Sequence, residues 1–155
     1  MKIYLVLIMI FITAAGCGET EQKAKDEAVA VSDVTTTNYT SYAGCHQMVM
    51  DKDTAYMSLQ SGGDSLYGPL EYKRFEKDSN KGTVILTEKN NKLEGWYRFQ
   101  SEGMNSVRQI IFKMNGDSLS EAYGDIEFKG DTAVYKYPHA LKFEEKHSFI
   151  KIICK

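Results

Sequence analysis

Residues 93–114, LEGWYRFQSEGMNSVRQIIFKM, contain two runs in which apolar and polar residues alternate. In the first run Tyr97 and Phe99 share one parity, and in the second Ile110 and Phe112 do. A period of two is typical of a strand with one buried face. The stretch therefore predicts two consecutive antiparallel strands.

The same pattern extends in both directions from this stretch. Short clusters of Gly, Asn and Asp, which tolerate the positive φ of hairpin turns, separate the apolar runs. Proline occurs only twice, and no segment between the turns has a helical period. We predict nine strands, at 44–50, 54–60, 66–75, 82–88, 93–101, 107–113, 118–128, 132–137 and 149–154.

Successive hairpins of similar length predict an all-β domain over residues 42–155, built as an antiparallel up-and-down meander. A meander of eight or nine strands avoids open edges by closing into a barrel. The predicted barrel is similar to lipocalins and to small barrels of the bacterial envelope. The alternative is a two-sheet β-sandwich.

The amino terminus has the parts of a secretory signal peptide. Lys2 is followed by ten apolar residues, 3–12, and then by the small residues of TAAGC. Ten helical residues rise only about 15 Å, which is half of a hydrocarbon core and too short to span it. We therefore predict an export signal over residues 1–16.

Ala15, Gly16 and Cys17 resemble the last three positions of the bacterial lipobox, and Ala14 stands where leucine is commonest. The resemblance implies cleavage before Cys17, lipid on its thiol and anchoring in a membrane of the cell envelope. Gly18, rather than the Asp that resembles an inner-membrane retention signal, favours the outer membrane. The chain as a whole resembles small Gram-negative envelope lipoproteins.

The segment from residue 17 to residue 41 predicts a lipidated, disordered tether. It is rich in charged and hydroxyl side chains and has a single aromatic residue, so it has little apolar surface to bury. A short helix over 21–31 is the alternative.

Three cysteines occur, and the lipobox resemblance assigns the first to lipid. Cys45 and Cys154 remain, near the two ends of the predicted barrel. In an exported protein such a pair predicts a disulfide, which would join the first strand to the last. The competing interpretation, a pair of metal-binding thiolates, has no neighbouring ligands in the sequence.

Charged and aromatic residues on inward parities mark a candidate ligand site. Arg108 shares parity with the apolar stripe of its strand, and Glu121 lies on an inward parity of the next strand. A buried charge needs a partner, so Arg108 is expected to pair with Glu121 or Glu102. In a barrel mouth this Arg could bind a carboxylate or phosphate, with Tyr97 or Tyr123 as further polar contacts.

His46, Met48 and Met50 alternate along the first predicted strand, so their side chains share one side. Imidazole and thioethers form a soft ligand set suited to Cu(I). Met57 on the next strand and Trp96 are conceivable neighbours. Core packing by methionine is the alternative.

The function expected from these features is non-catalytic binding of a small apolar or amphipathic ligand in the barrel. The alternatives are a protein-interaction module acting through residues 101–106, such as an envelope-enzyme inhibitor or an assembly factor, or Cu(I) binding. Scattered histidines and the lack of a GxSxG or HExxH motif argue against an enzyme, and no cofactor is expected. With 19 basic and 21 acidic residues the chain is mildly acidic, which argues against nucleic-acid binding.

Overall fold

The computed structural model describes residues 39–154, whose regular structure is ten strands and two short 3-10 helices. The helices are Tyr39–Tyr42 and Pro138–Ala140. The strands are β1 (Gly44–Met50), β2 (Asp53–Gly62), β3 (Ser65–Lys73), β4 (Asn80–Lys89), β5 (Lys92–Ser101), β6 (Met104–Asn115), β7 (Ser118–Tyr123), β8 (Ile126–Lys129), β9 (Thr132–Tyr135) and β10 (Lys142–Ile152).

Eight of these strands close into an antiparallel barrel. Each of β1 to β6 pairs with the next strand in sequence, β7 pairs with β10, and β10 pairs with β1. The pairing of β5 with β6 runs over ten residue pairs, which include Tyr97 opposite Arg108. The all-β closed barrel expected from the sequence is therefore confirmed, and the sandwich is not formed.

Two strands lie outside the closed ring. The hairpin of β8 and β9 is inserted between β7 and β10, and β9 pairs in parallel with the first half of β6 at Val107 and Arg108. Tyr135 of β9 packs with Ile111 and Ala122 on the outer wall and donates a hydrogen bond from its hydroxyl to the Ala122 carbonyl, at 2.7 Å. The hairpin thus covers outward-facing apolar side chains of the barrel.

Three details of the predicted elements are wrong. The predicted strand 118–128 is two strands, because the chain leaves the barrel at Gly124 and Asp125. The last strand begins at Lys142 rather than at residue 149, and its residues 144–147 form a bulge in the pairing with β7. Residues 101–106 are not a long loop, since Glu102 and Gly103 alone form a tight turn with φ of 50° and 77°.

Side chains fill the barrel interior. They come from every strand of the ring and exclude solvent almost completely. The largest of these fully buried side chains are Tyr97, Phe112, Phe149, Met57, Leu66, Leu70, Leu86, Leu93, Ile110, Leu119, His46 and Val84.

Gly95 lets β4 and β5 approach closely on the inner side of the wall. A Cβ at this position would lie 1.8 Å from the carbonyl oxygen of Ile85 and 3.0 Å from the Cα of Leu86. No side chain fits there, so the glycine allows the sheet to coil tightly enough to close.

One end of the barrel is covered by the first 3-10 helix. The Tyr39 hydroxyl donates to the Gly63 carbonyl at 2.9 Å, and the Tyr42 hydroxyl donates to the Gly116 carbonyl at 2.7 Å. These two carbonyls belong to different hairpin turns, so the helix spans what we call the capped end. The helix thus brings residues 39–41, which precede the predicted boundary at residue 42, into contact with the barrel.

The same end carries the predicted disulfide. Cys45 and Cys154 are bonded, with their Cα atoms 5.2 Å apart and a sequence separation of 109. Cys45 lies in β1, and Cys154 follows β10, its neighbour in the barrel. The bond fastens the last strand of the barrel to the first, as the sequence predicted.

Candidate functional site

The open end of the barrel, opposite the capped end, contains a cavity of about 490 Å³. Here β1 meets β2 at a turn, β3 and β5 end, and β4 and β6 begin, so side chains from most of the ring converge. We call this cavity the mouth. Its lining residues are Met48, Met50, Asp53, Thr54, Tyr72, Arg74, Lys77, Asn80, Phe99, Arg108, Glu121 and Tyr123.

A hydrogen-bonded triad forms the inner surface of the mouth. Arg108 donates from Nη2 to Glu121 Oε1 at 2.9 Å and to the Tyr72 hydroxyl at 3.1 Å. The Tyr72 hydroxyl in turn donates to Glu121 Oε2 at 2.6 Å. Both carboxylate oxygens are used, and the buried charge of Glu121 is paired as a low-dielectric site requires.

Aromatic rings hold the Arg108 guanidinium in place. Its central carbon lies 5.5 Å from the ring centroids of both Tyr72 and Tyr97. Tyr97 stacks on Phe99 with ring centroids 4.7 Å apart and donates its hydroxyl to the Leu70 carbonyl at 2.9 Å. The cation therefore lies against π faces that are themselves fixed by packing.

The electrostatics of the triad favour the protonated forms of Tyr72 and Arg108. Burial, reinforced by Glu121, holds the pKa of Tyr72 well above its usual value, so the phenol stays a donor. For Arg108, burial alone would lower the pKa, but Glu121 and Tyr72 outweigh it and raise the value. Burial, and then Glu121, also raises the pKa of Tyr123 at the rim.

Arg108 retains hydrogen-bonding capacity toward the mouth. Both of its contacts use Nη2, and neither Nε nor Nη1 has an acceptor among residues 39–154. Its side chain is 29% exposed, whereas that of Glu121 is 6% exposed. A guanidinium presents its donors in a planar fork that matches a carboxylate or a phosphate.

The mouth combines this cation with further charge and with apolar surface. Arg74 and Lys77 add two positive charges, and Asp53 and Glu121 supply two negative ones, so the lining has a formal excess of one positive charge. On the described part of the chain, the Asp53 carboxylate also accepts the Phe75 backbone N–H at 2.7 Å. The excess contrasts with the net charge of −2 of the whole chain.

The structure brings together only part of the predicted ligand set. Arg108, Glu121 and Tyr123 line the mouth, and Arg108 pairs with Glu121 as expected. Tyr97 does not line it, because its hydroxyl is committed to a core carbonyl. Glu102 is exposed in the β5–β6 turn and is not a lining residue, so its proposed pairing with Arg108 is wrong.

Tyr72 is the main site residue that the sequence analysis missed. Its parity on β3 matches that of the buried Leu66 and Leu70, which was sufficient to place it inside. Asp53 begins β2, whereas Arg74 and Lys77 lie in the connection between β3 and β4, and their approach depends on the closed ring.

The predicted soft-ligand residues lie along β1 from the mouth inward. Met50 and Met48 line the mouth, while His46 lies deeper and is fully buried. Met57 is directly opposite His46 on β2, as predicted. Trp96 is 43% exposed on the outer wall, so the idea that it neighbours this set is wrong.

Comparison of the chain with protein-family models, with curated proteins and with solved structures finds no match. Within residues 39–154 no helix is long and apolar enough to cross a membrane. The predicted signal peptide, Cys17 and nearly all of the predicted tether lie outside the described residues.

Proposed function

We propose that this chain is a lipid-anchored envelope protein whose barrel mouth binds a small amphipathic molecule through an acidic group. The anchor rests on the signal peptide and on the lipobox resemblance at Cys17. The ligand class rests on one observation, that Arg108 lies fixed within a concave mouth with Nε and Nη1 unpaired to the described residues.

The shape and chemistry of the mouth support this ligand class. A volume of about 490 Å³ falls within the range of small-molecule sites, roughly 300–1,000 Å³. Met48, Met50 and Phe99 provide apolar surface close to the guanidinium. A molecule with one acidic end and a short apolar part would contact both kinds of surface.

The filled interior limits the depth of binding. Inward of the triad, residues such as Tyr97, Phe112 and Phe149 occupy the barrel and are fully buried. We therefore propose that the ligand occupies the mouth rather than the length of the barrel, and that its acidic group is placed next to Arg108.

Calorimetric titration of the mature chain with decanoate tests this proposal. Decanol, which has the same apolar part and no charge, is the matched ligand. We expect decanoate to bind at least tenfold more tightly, because only the carboxylate pairs with Arg108. Arg108→Gln should abolish this preference and Arg74→Gln should weaken it, while Arg98→Gln, on the exposed outer side of β5, should leave it unchanged.

Circular dichroism must show that each variant remains folded. Equal binding of decanoate and decanol would contradict the role of Arg108, and binding of neither would contradict a ligand of this class. Because Trp96 lies on the outer wall, its fluorescence is not a suitable readout for the mouth.

A further inference from the structure

His46 presents a polar group that the described structure leaves without a partner. Its side chain is 0% exposed, and neither Nδ1 nor Nε2 has a hydrogen-bond partner among the described residues. A neutral imidazole carries one donor and one acceptor, and buried polar atoms are normally satisfied by protein, water or an ion. The ring therefore retains the capacity to bind a water molecule or an ion.

The neighbours of His46 supply sulfur. Met57 is its antiparallel partner on β2, and directly opposite side chains have Cβ atoms about 4.5–5.5 Å apart. Met48 lies two residues along β1 on the same face, opposite the small Ala55. Both methionines are buried in the same interior cluster.

The charge around this cluster favours a soft monovalent ion over a hard divalent one. Residues 39–154 contain no group of three or more His, Cys, Asp or Glu side chains able to hold a metal. The register partner of His46 on β10 is Lys151, whose ammonium donates to the Ser41 carbonyl at the capped end at 2.6 Å. Thioether sulfur and neutral imidazole are preferred by Cu(I), whereas Mg²⁺ and Ca²⁺ need oxygen.

The order of residues along β1 links the mouth to the interior. Met50 and Met48 line the mouth, and His46 continues the same face inward. Thioethers thus connect the open end with the buried imidazole.

We propose that His46, Met48 and Met57 form an interior site for the soft monovalent ion Cu(I), reached from the mouth past Met50. This site shares Met48 with the lining of the mouth but includes no member of the Arg108 triad, and it does not depend on the proposed amphipathic ligand.

The test uses Ag(I), a soft monovalent ion that needs no reductant and so leaves the Cys45–Cys154 bond intact. Native mass spectrometry and competition titration of the oxidised mature chain should show one ion bound per chain. Met48→Leu and Met57→Leu conserve volume and should each weaken binding at least tenfold. Met104→Leu is the matched control, because Met104 is 70% exposed at the start of β6.

A second readout separates coordination from packing. In ¹⁵N spectra of the imidazole rings, Ag(I) should shift one ring nitrogen of His46 and leave His139 and His147 unchanged. Cu(I), supplied anaerobically, should displace Ag(I), and Zn(II) should not. A folded chain that binds no Ag(I), that binds it equally well in Met48→Leu and Met57→Leu, or that shows no His46 shift would overturn the proposal.

Discussion

Glu121 carries one carboxylate that serves two side chains at the open end, Tyr72 and Arg108. Glu121→Gln keeps the size of the side chain but leaves Arg108 without its counter-charge. Breaking a buried ion pair costs about 3–5 kcal/mol, and the partial exposure of Arg108 places our expectation at roughly 2–4 kcal/mol. Urea unfolding measures this loss.

The matched control for that substitution is Glu127→Gln. Glu127 pairs with Lys129 at 3.3 Å on the surface of β8, and an exposed pair of this kind contributes about 0–1 kcal/mol. Equal losses in the two variants would show that the triad is not a buried ion pair in solution.

The inward direction of Arg108 and Glu121 could be predicted from strand parity alone, because each shares its parity with apolar neighbours. Tyr97 and Glu102 show which features cannot be predicted from strand parity. Parity places Tyr97 inside but does not show that the Leu70 carbonyl takes its hydroxyl. The side chain of Glu102 could be placed only once the tight turn was known.

Among the elements, β5 depends on Gly95 for its approach to β4. Gly95→Ala would set a methyl group against the Ile85 carbonyl, which cannot move without breaking the β4–β5 pairing. We expect a loss of about 3 kcal/mol or more, or failure to fold. Far-UV circular dichroism and urea unfolding measure both outcomes.

Gly103→Ala separates crowding from backbone strain. Gly103 has a φ of +77° and open space around its Cα, so alanine there should cost only about 1–2 kcal/mol. A Gly95→Ala variant as stable as Gly103→Ala would show that the strands can move apart.

The β8–β9 hairpin should make the domain sensitive to alkali through Tyr135. Burial, and then Glu121, raises the pKa of its phenol to about 12. Because the folded pKa lies above that of the unfolded chain, this contribution to stability is complete below about pH 10 and is lost as the pH rises toward 12. Urea unfolding at a series of pH values should show this decline.

Tyr135→Phe should make the alkaline decline shallower, since no phenol remains to ionise at that position. Tyr137→Phe, which alters an exposed ring just beyond β9, should show the same alkaline decline in stability as the parent protein. A decline that is unchanged in Tyr135→Phe would assign the alkaline sensitivity to other groups.

Strand boundaries were predictable where a turn and a change of polarity coincide, as at both ends of β1. Strand boundaries were not predictable where they depend on pairing between strands that are distant in sequence. Residues 118–128 read as one strand, because nothing local reveals that Gly124 ends the pairing with β6 and β10. The last strand was predicted to begin at residue 149, because the polar residues 144–147 give no local sign of the bulge by which β10 pairs with β7.

At the scale of the whole molecule, the Cys45–Cys154 bond closes the barrel covalently. A loop of this length contributes up to about 4–5 kcal/mol by restricting the unfolded chain. Replacing both cysteines by serine should lower the free energy of unfolding by an amount approaching that value, with the native fold retained. Urea unfolding of the two forms, with a mass difference of two hydrogens on reduction of the parent, checks this.

Replacement of both cysteines avoids leaving a single reactive thiol. A double-serine variant as stable as the parent would mean that the strand pairing of β1 with β10 already holds the ends together in the unfolded ensemble. A parent chain without the two-hydrogen difference would contradict the bond itself.

The disulfide also determines how the domain responds to a pulling force. A load applied between residue 39 and residue 154 passes through the sulfur–sulfur bond and bypasses the strands in between. The oxidised domain can then release only residues 39–44, about 20 Å of contour length, whereas the reduced domain can release the whole ring, roughly 400 Å. If the chain is held to a membrane through Cys17, as we propose, tension on its carboxyl-terminal end would leave the barrel folded.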